Sequence, residues 1–156
     1  MGNWPKISID VEKERDKCFV CGQNNPIGLK ISFRNEGGVA RAEFTPGKLY
    51  QGWSGVLHGG ITMALLDEAV SYAALFAGVN AITAKMEVRI RRPIPIGEPL
   101  SITGTVTKQT GKLVITEGAI FLKDVILVAE ATAKQFVVRA RVKNGSDDKK
   151  SDQKPA

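Results

Sequence analysis

Residues 50–78 constrain this chain more than any other stretch, because a glycine-rich loop there leads into an apolar segment of helical length. The loop reads YQGWSGVLHGG and contains His58, the only histidine in the chain. Across residues 61–77 the only charged side chains are those of Asp67 and Glu68. Since apolar residues face nearly every side, the pattern predicts a helix covered by other structure and not one lying on a surface. A carboxylate in such a helix is costly unless it is paired, hydrogen-bonded or used in chemistry.

The composition is typical of one globular domain, since the 156 residues are 43% hydrophobic and 24% charged and suffice to bury a core. The two carboxylates interrupt the apolar segment, which argues against a membrane span. Residues 1–17 alternate polar and charged side chains and predict no signal peptide. A cytoplasmic location is therefore the default expectation.

The formal net charge of +6 bears on possible partners. Lysine and arginine are scattered, and part of the excess falls in residues 134–154. Without interleaved aromatic residues or a basic helix, the pattern does not favour nucleic acid. A phosphate-bearing ligand and a merely soluble basic surface both fit this charge.

Two cysteines form a Cys-x-x-Cys pair, Cys18 and Cys21, followed by Gly22. A structural zinc site needs about four ligands, and the chain offers these two thiols and one distant histidine, so we predict no metal site within one subunit. A redox motif would need a thioredoxin-like strand and helix around it. The pair is interpreted as structural thiols in a tight turn.

Alternating residues and turn signals predict six strands. Two short strands over residues 29–33 and 39–44 would precede the helix, joined by a turn at residues 35–38. After the helix, which would end near Gly78, four longer strands are predicted over residues 82–90, 100–108, 113–122 and 125–138. In the first of these the alternation puts Ala84, Met86, Val88 and Ile90 on one face and Thr83, Lys85, Glu87 and Arg89 on the other.

These elements predict an α+β fold in which a curved antiparallel sheet wraps around one long central helix. Tight turns between the last four strands favour an antiparallel meander. The domain would cover residues 18–139, after an irregular lead-in over residues 1–17, and residues 140–156 would be a disordered polar tail. Uncovered helix surface and sheet edges would favour a second subunit.

A group of residues around the helix start contains the parts needed for acyl transfer or hydrolysis. Backbone N–H groups of Gly59 and Gly60 at a helix N-terminus can polarise a carbonyl, and the Asp67 carboxylate can attack it or activate water. His58 and Asp67 lie about 13 Å apart along a continuous helix and on opposite sides, so a site that joins them needs two chains. In the alternative interpretation His58 is a helix N-cap or a packing residue, the glycines allow close packing, and Asp67 is a satisfied core carboxylate. Glu68 is the second candidate base.

These motifs resemble those of the hotdog-fold acyl-CoA thioesterases of the phenylacetate-pathway, or PaaI-like, group. The resemblance covers residues 18–138. It rests on the segments GVLHGG at 55–60, LLDE at 65–68, Thr83, RRP at 91–93 with Gly97, and the opening segments CFVCG and NPIGL.

The resemblance implies hydrolysis of an acyl-CoA to a free acid and CoA, with no cofactor or metal, in a homodimer or homotetramer whose active sites lie at the dimer interface. It implies that Asp67 is the nucleophile or general base, that a Gly59 or Gly60 amide polarises the carbonyl, and that His58 positions the substrate. It also implies that Thr83 orients the attacking group. Some relatives have an asparagine a few residues before the histidine that helps to bind the carbonyl. Here Gln51 is the candidate substitute, and Gln51 and Trp53 are candidate substrate-binding residues. Arg91 and Arg92 are candidates to bind CoA phosphates, and Lys85 and Arg89 are equally basic and near.

Two other functions are compatible with these residues. One is a dehydratase acting on a hydroxyacyl thioester, which would need the histidine and the acid in one site. The other is a non-catalytic acyl-CoA-binding module. Partners other than acyl-CoA and a second copy of the chain, such as nucleic acid or a membrane, are not expected. An acyl pocket lined by Trp53, Tyr72 and Phe76 would suit an aryl or medium-length acyl group.

Overall fold

The computed structural model of the protein describes residues 9–138. The predicted tail over residues 140–156 and the first eight residues of the predicted lead-in lie outside that range. The described residues form a long helix, α1 (Gly59–Phe76), six strands and two short 3₁₀ turns, Arg15–Lys17 and Lys48–Tyr50. The strands are β1 (Arg34–Glu36), β2 (Val39–Phe44), β3 (Ala81–Ile90), β4 (Leu100–Gln109), β5 (Leu113–Leu122) and β6 (Ile126–Val137). None of the helices in the described range is long and apolar enough to cross a membrane.

The six strands form one antiparallel sheet in the order β1-β2-β4-β5-β6-β3. The predicted four-strand meander is therefore wrong at its first step: β4, β5 and β6 are consecutive neighbours, but β3 pairs with β6 and β4 pairs with β2. The segment between β3 and β4, residues 91–99, contains three prolines and cannot form a tight hairpin. It crosses to the loop before α1 instead, where the Leu57 N–H donates to the Ile94 carbonyl and the Ile96 N–H to the Gly55 carbonyl.

The predicted strand over residues 29–33 is also wrong, since the first strand begins at residue 34. Lys30 has a positive φ of 55°, which is incompatible with an extended strand. The N–H groups of Leu29 and Ile31 donate to carbonyls in the turn between the two cysteines and not to β2. Both side chains are buried, so the alternation correctly indicated burial but not the pairing partner.

One face of α1 packs on the sheet and the rest of its surface is only partly covered, so the predicted wrapping is incomplete within one chain. The residues buried on this helix recur every three or four positions: Thr62, Leu65, Leu66, Ala69, Val70, Ala73 and Ala74. On the opposite side Met63 is 46% exposed. A single sheet can cover only one side of a helix, and the turn and loop that precede β1 cover a further part of α1.

Small residues in register across the sheet let α1 approach it closely. Gly104 of β4 pairs with Ala40 of β2 and with Gly118 of β5, which pairs with Ala131 of β6. A Cβ atom on Gly104 would overlap the Ala69 carbonyl group of the helix. These four residues, the small-residue row, set the distance between helix and sheet.

Replacing Gly104 with alanine is expected to lower the free energy of unfolding by about 3 kcal/mol, the upper part of the range for overpacked cores. The contact is with backbone, which cannot rotate away. Urea denaturation measures the change. A Cβ atom added at Gly111, in the β4–β5 turn, would meet no atom of the described residues within 4 Å. The control Gly111→Ala should therefore leave stability unchanged or raise it by up to about 1 kcal/mol. Equal urea midpoints for the Gly104→Ala variant and the wild type would contradict the close packing.

A register shift in β3 changes which of its side chains face inward. Pairing with β6 jumps between Thr83 and Lys85, which leaves Ala84 as a bulge. The half-buried residues of β3 are consequently Ala81, Thr83, Met86 and Val88, whereas Ala84 and Ile90 are exposed. The predicted alternation holds from Lys85 to Arg89 and is wrong at Thr83 and Ala84, because the bulge reverses the phase of the strand there. Its effect is to place the Thr83 hydroxyl on the helix side of the sheet.

Candidate active site

The start of α1 is capped by His58, as one of the two interpretations of that residue predicted. Its backbone is extended, with φ −60° and ψ 133°, and its Nδ1 accepts a hydrogen bond from the Gly60 N–H at 2.8 Å. The His58 carbonyl accepts from Ile61 and Thr62, and its own N–H donates to the Tyr50 carbonyl. Because Nδ1 is an acceptor in the neutral ring, Nε2 carries the proton and remains available as a donor.

The two glycines of the helix start differ in what their amides can do. The Gly60 N–H is occupied by His58. Across residues 9–138, no acceptor is found for the Gly59 N–H. The first amides of a helix carry its positive partial charge, so Gly59 is the better-placed donor for a carbonyl oxygen, a distinction that the sequence did not make.

The predicted binding residues Gln51 and Trp53 lie beside this helix start. They line an open cleft together with Gly52, Val56, Leu57, His58 and Gly59. The Gln51 Oε1 accepts a hydrogen bond from the Gly55 N–H at 3.1 Å, which fixes the loop and leaves the side-chain NH₂ as a donor. Trp53 is 87% exposed. This group at the helix start is termed the glycine half-site.

Asp67 lies in a second group, whose hydrogen bonds form a chain into the core. The Thr83 hydroxyl donates to Asp67 Oδ1 at 2.7 Å. Gln135 Nε2 donates to the Thr83 hydroxyl at 3.4 Å, and the Thr116 hydroxyl donates to Gln135 Oε1 at 3.2 Å. Gln135 and Thr116 are fully buried. Since Gln135 donates to Thr83, the Thr83 proton is directed to Asp67. The hydrogen bonds thus hold these side chains in one arrangement. Asp67, Thr83 and Gln135 are termed the carboxylate half-site.

Gln135 and Thr116 were not among the residues predicted from sequence. The available signal was a polar residue in an inward position: on β6, Ala129, Ala131, Ala133 and Gln135 alternate and are all buried. A buried glutamine requires hydrogen-bond partners. Which partners it has depends on the pairing of β6 with both β3 and β5, which no local pattern reveals.

The two half-sites of one chain are far apart. Gly59 and Asp67 are eight residues apart in α1, which is about 12 Å along a helix axis. The structure thus groups His58, Gly59, Gln51 and Trp53 at one end, and Asp67, Thr83 and Gln135 near the middle of the helix.

Glu68, the second candidate base, faces away from Thr83 and towards the two cysteines. The Cys18 thiol donates to Glu68 Oε1 at 3.6 Å. Burial raises the pKa of the Glu68 carboxyl above its usual value, although hydrogen bonds from Cys21 and Cys18 oppose this change. Tyr72 and Phe76, the other predicted pocket residues, form an aromatic stack with Phe33, in which the Phe33 and Tyr72 ring centres are 4.8 Å apart. The Phe76 ring is tilted against Tyr72, at 5.4 Å between ring centres. Neither Tyr72 nor Phe76 lines the cleft that Trp53 lines.

The basic residues proposed for phosphate binding are all on the surface. Arg91 forms an ion pair with Glu130 at 2.6 Å, and Lys85 forms one with Glu87 at 2.9 Å. Among these four cations, Arg92 and Arg89 form no ion pair within the described residues.

Comparison with known proteins identifies relatives of this chain. The sequence model of the thioesterase superfamily matches residues 54–129. The acyl-coenzyme A thioesterase THEM4 of Xenopus laevis is 33% identical over 91 residues, which are 58% of this chain and 41% of that protein. The chain thus spans less than half the length of this relative.

Two solved structures share the fold. The thioesterase superfamily protein RHA08564 has a TM-score of 0.75 at 26% identity, over 86% of this chain and 72% of that one. The Escherichia coli PaaI protein from the phenylacetic acid degradation operon has a TM-score of 0.67 at 23% identity, over 72% and 82% of the two chains. These likenesses confirm the predicted fold, one antiparallel sheet on one long helix.

Proposed function

We propose that the protein is a member of the thioesterase superfamily, whose sequence model matches residues 54–129, and that it hydrolyses acyl-CoA thioesters to a free carboxylic acid and CoA. Two features of the chain carry the proposal: the Asp67 carboxylate, which accepts a hydrogen bond from the Thr83 hydroxyl, and the Gly59 N–H at the helix start, for which residues 9–138 provide no acceptor. The acyl-CoA thioesterase activity named for its Xenopus relative supports the substrate class.

In the proposed reaction the Gly59 N–H donates a hydrogen bond to the thioester carbonyl oxygen, where negative charge develops. Asp67 then either takes a proton from the attacking water or attacks the carbonyl carbon itself. With water as the nucleophile, a carbon–oxygen bond forms, the carbon–sulfur bond breaks, and the CoA sulfur takes the proton that Asp67 removed from water. With Asp67 as the nucleophile, the carbon–sulfur bond breaks to leave an acyl–Asp67 anhydride, the CoA sulfur takes a proton from solvent, and water then hydrolyses the anhydride to the free acid. Thr83 holds Asp67 through one oxygen in both routes. Single turnover in ¹⁸O-labelled water tests the second route, since only an anhydride that water opens at the Asp67 carboxyl carbon places the label in Asp67.

We propose that a complete site is formed by two chains, in a homodimer or homotetramer. The two half-sites of one chain are too far apart to act on one carbonyl, so the Asp67 of one chain would face the Gly59 of another. β3, which carries Thr83, is an edge strand of ten residues with exposed Ile82 and Ile90. An edge of this length favours pairing with a second copy. Light scattering should give at least twice the mass of one chain.

For CoA binding we propose that the NH₂ group of Gln51 and the indole of Trp53 contact the substrate next to the carbonyl, beside His58. Arg92 would bind a CoA phosphate, with Arg91 contributing less because Glu130 already neutralises it. A charge-assisted contact to a CoA phosphate stabilises the bound substrate and the transition state to the same extent.

His58 has a capping role and a proposed substrate role, which two substitutions separate. His58→Ala should lower the free energy of unfolding by about 0.5–2 kcal/mol, because it removes an N-cap. His58→Asn should restore stability, since asparagine caps helices well. We expect kcat/KM of both variants to fall about tenfold, the value of one lost hydrogen bond. Full activity of His58→Asn would show that the residue is a cap alone.

The proposed function is tested by incubating the protein with acyl-CoAs of varied chain length, including phenylacetyl-CoA, and measuring release of the free CoA thiol. We expect multiple turnovers with at least one of them. Tight binding of an acyl-CoA with no cleavage of any would identify a binding module instead. Loss of water from a hydroxyacyl-CoA without thiol release would identify a dehydratase.

A further inference from the structure

The Cys-x-x-Cys turn meets Glu68 of α1 in a cluster that the proposed reaction does not use. The sulfur atoms of Cys18 and Cys21 and a carboxylate oxygen of Glu68 all lie within 4.8 Å of one another. Both cysteines are free and half-buried. The absence of a metal site was predicted from two cysteines and one histidine alone, and Glu68 was not considered as a ligand. The third potential ligand lies fifty residues beyond Cys18.

The spacing of these atoms suits a tetrahedral metal ion. Around zinc, a sulfur at about 2.3 Å and a carboxylate oxygen at about 2.0–2.2 Å stand about 3.5–3.7 Å apart at the tetrahedral angle. The observed distance from Cys18 Sγ to Glu68 Oε1 is 3.6 Å. This pair already has the separation that zinc ligation requires, and the other two pairs lie within 4.8 Å.

The backbone of the turn is already arranged to support a thiolate. The Val20 N–H points at Cys18 Sγ, 3.4 Å away, and a hydrogen bond from an N–H stabilises a ligating sulfur. The Gly22 N–H donates to the Cys18 carbonyl at 2.9 Å. A Cβ atom on Gly22 would overlap backbone atoms of Asp16 and Cys18, so only glycine permits a turn this tight.

A divalent cation would offset most of the charge that the three groups carry as ligands. Such an ion favours the deprotonated form of each ligand. Two thiolates, one carboxylate and a divalent ion sum to −1, and Arg15 lines the same pocket.

We propose that Cys18, Cys21 and Glu68 bind a thiophilic divalent cation, zinc by its ligand chemistry, with an open fourth position. Thiolate ligands favour zinc over magnesium or calcium. The fourth position would face a pocket of about 160 Å³ that Ser71, Tyr72, Asn80 and Ala81 also line, where a water molecule can complete the tetrahedron. Binding releases the thiol protons to solvent. The ion would fasten the turn before β1 to α1, next to Asp67.

The test is a titration of the full-length, reduced, chelator-treated protein with Co²⁺, which reports thiolate ligation by its charge-transfer absorption. We expect one equivalent per chain, and displacement of Co²⁺ by Zn²⁺. Cys18→Ser and Cys21→Ser should each weaken binding by at least about 100-fold and diminish the absorption. Glu68→Gln should weaken binding by about 10–100-fold with the thiolate absorption retained.

Glu117→Gln is the matched control, since Glu117 is an exposed carboxylate on β5, and its affinity should equal that of the wild type. Circular dichroism of each variant checks that it is folded. The proposal is overturned if the folded, reduced wild type binds no Co²⁺, or if Glu68→Gln and the control bind it equally well. Neither result depends on whether the protein hydrolyses acyl-CoA.

Discussion

Replacing Asp67 with asparagine is expected to reduce kcat for acyl-CoA hydrolysis by about 10²–10⁴-fold, the usual contribution of a positioned acid or base. KM should change far less. Asparagine has the size of aspartate, and its carbonyl oxygen can accept the hydrogen bond from Thr83 that Asp67 accepts at 2.7 Å. It cannot accept a proton from water or attack a carbonyl carbon. Initial rates over a range of acyl-CoA concentrations give both constants.

Asp124→Asn is the control, because Asp124 is an exposed carboxylate in the β5–β6 turn, and it should have wild-type kinetics. The result also separates the two functional classes, since an acyl-CoA-binding module should keep its affinity for ligand in both variants and show no turnover in either. A wild-type kcat for the Asp67→Asn variant would show that another group acts as the base and would contradict the proposed mechanism.

Replacing Gly59 with proline is expected to reduce kcat by about 10²–10³-fold, the usual cost of losing one donor to a developing oxyanion. Proline removes the N–H and is well tolerated at the first position of a helix. The preceding residue must be extended, and His58 already has φ −60° and ψ 133°. The substitution thus deletes one hydrogen-bond donor with little effect on the fold, which denaturation by urea can verify.

Gly59→Ala is the matched control. A Cβ atom at this position meets only the Ile90 Cδ1 atom, at 3.8 Å, and the N–H remains. This variant should keep kcat within about threefold of wild type, since surface substitutions of this kind change free energies by about 0.5 kcal/mol. Equal activity of the proline and alanine variants would show that the Gly59 amide does not bind the carbonyl.

The same two substitutions test whether each active site uses two chains. If Asp67→Asn and Gly59→Pro chains are mixed and reassembled as random dimers, half are mixed, and each mixed dimer has one intact site. About a quarter of wild-type activity should therefore return. Sites contained within single chains would give no recovery.

The local part of this architecture could be predicted from sequence, because it depends on neighbouring residues. The apolar run predicted the position of α1, and the turn residues predicted the bounds of β4, β5 and β6 nearly to the residue. His58 and the glycines were recognisable from their position before a helix. The candidate site residues were identified individually, yet their grouping into two half-sites required the fold.

Features that depend on pairing between distant strands could not be predicted. The bulge at Ala84 reverses the phase of β3 and turns Thr83 towards Asp67, and alternation alone placed Thr83 on the other face. Gln135 acquires its role only because β6 lies between β3 and β5. The contact between the Cys18 turn and Glu68 likewise joins segments whose separation along the chain leaves no local signal.

The small-residue row has a consequence for how this protein can vary. The helix carries Asp67 and the sheet carries Thr83, so the height of α1 above the strands decides whether their hydrogen bond can form. That height is set where Gly104 meets Ala69, two residues along from Asp67. Compensating changes elsewhere could lift the helix and make room for an added methyl group at Gly104. Such a chain would keep its fold and lose the 2.7 Å hydrogen bond between Thr83 and Asp67. Drift at a residue that never meets substrate would then yield descendants of the same shape that bind a thioester without cleaving it.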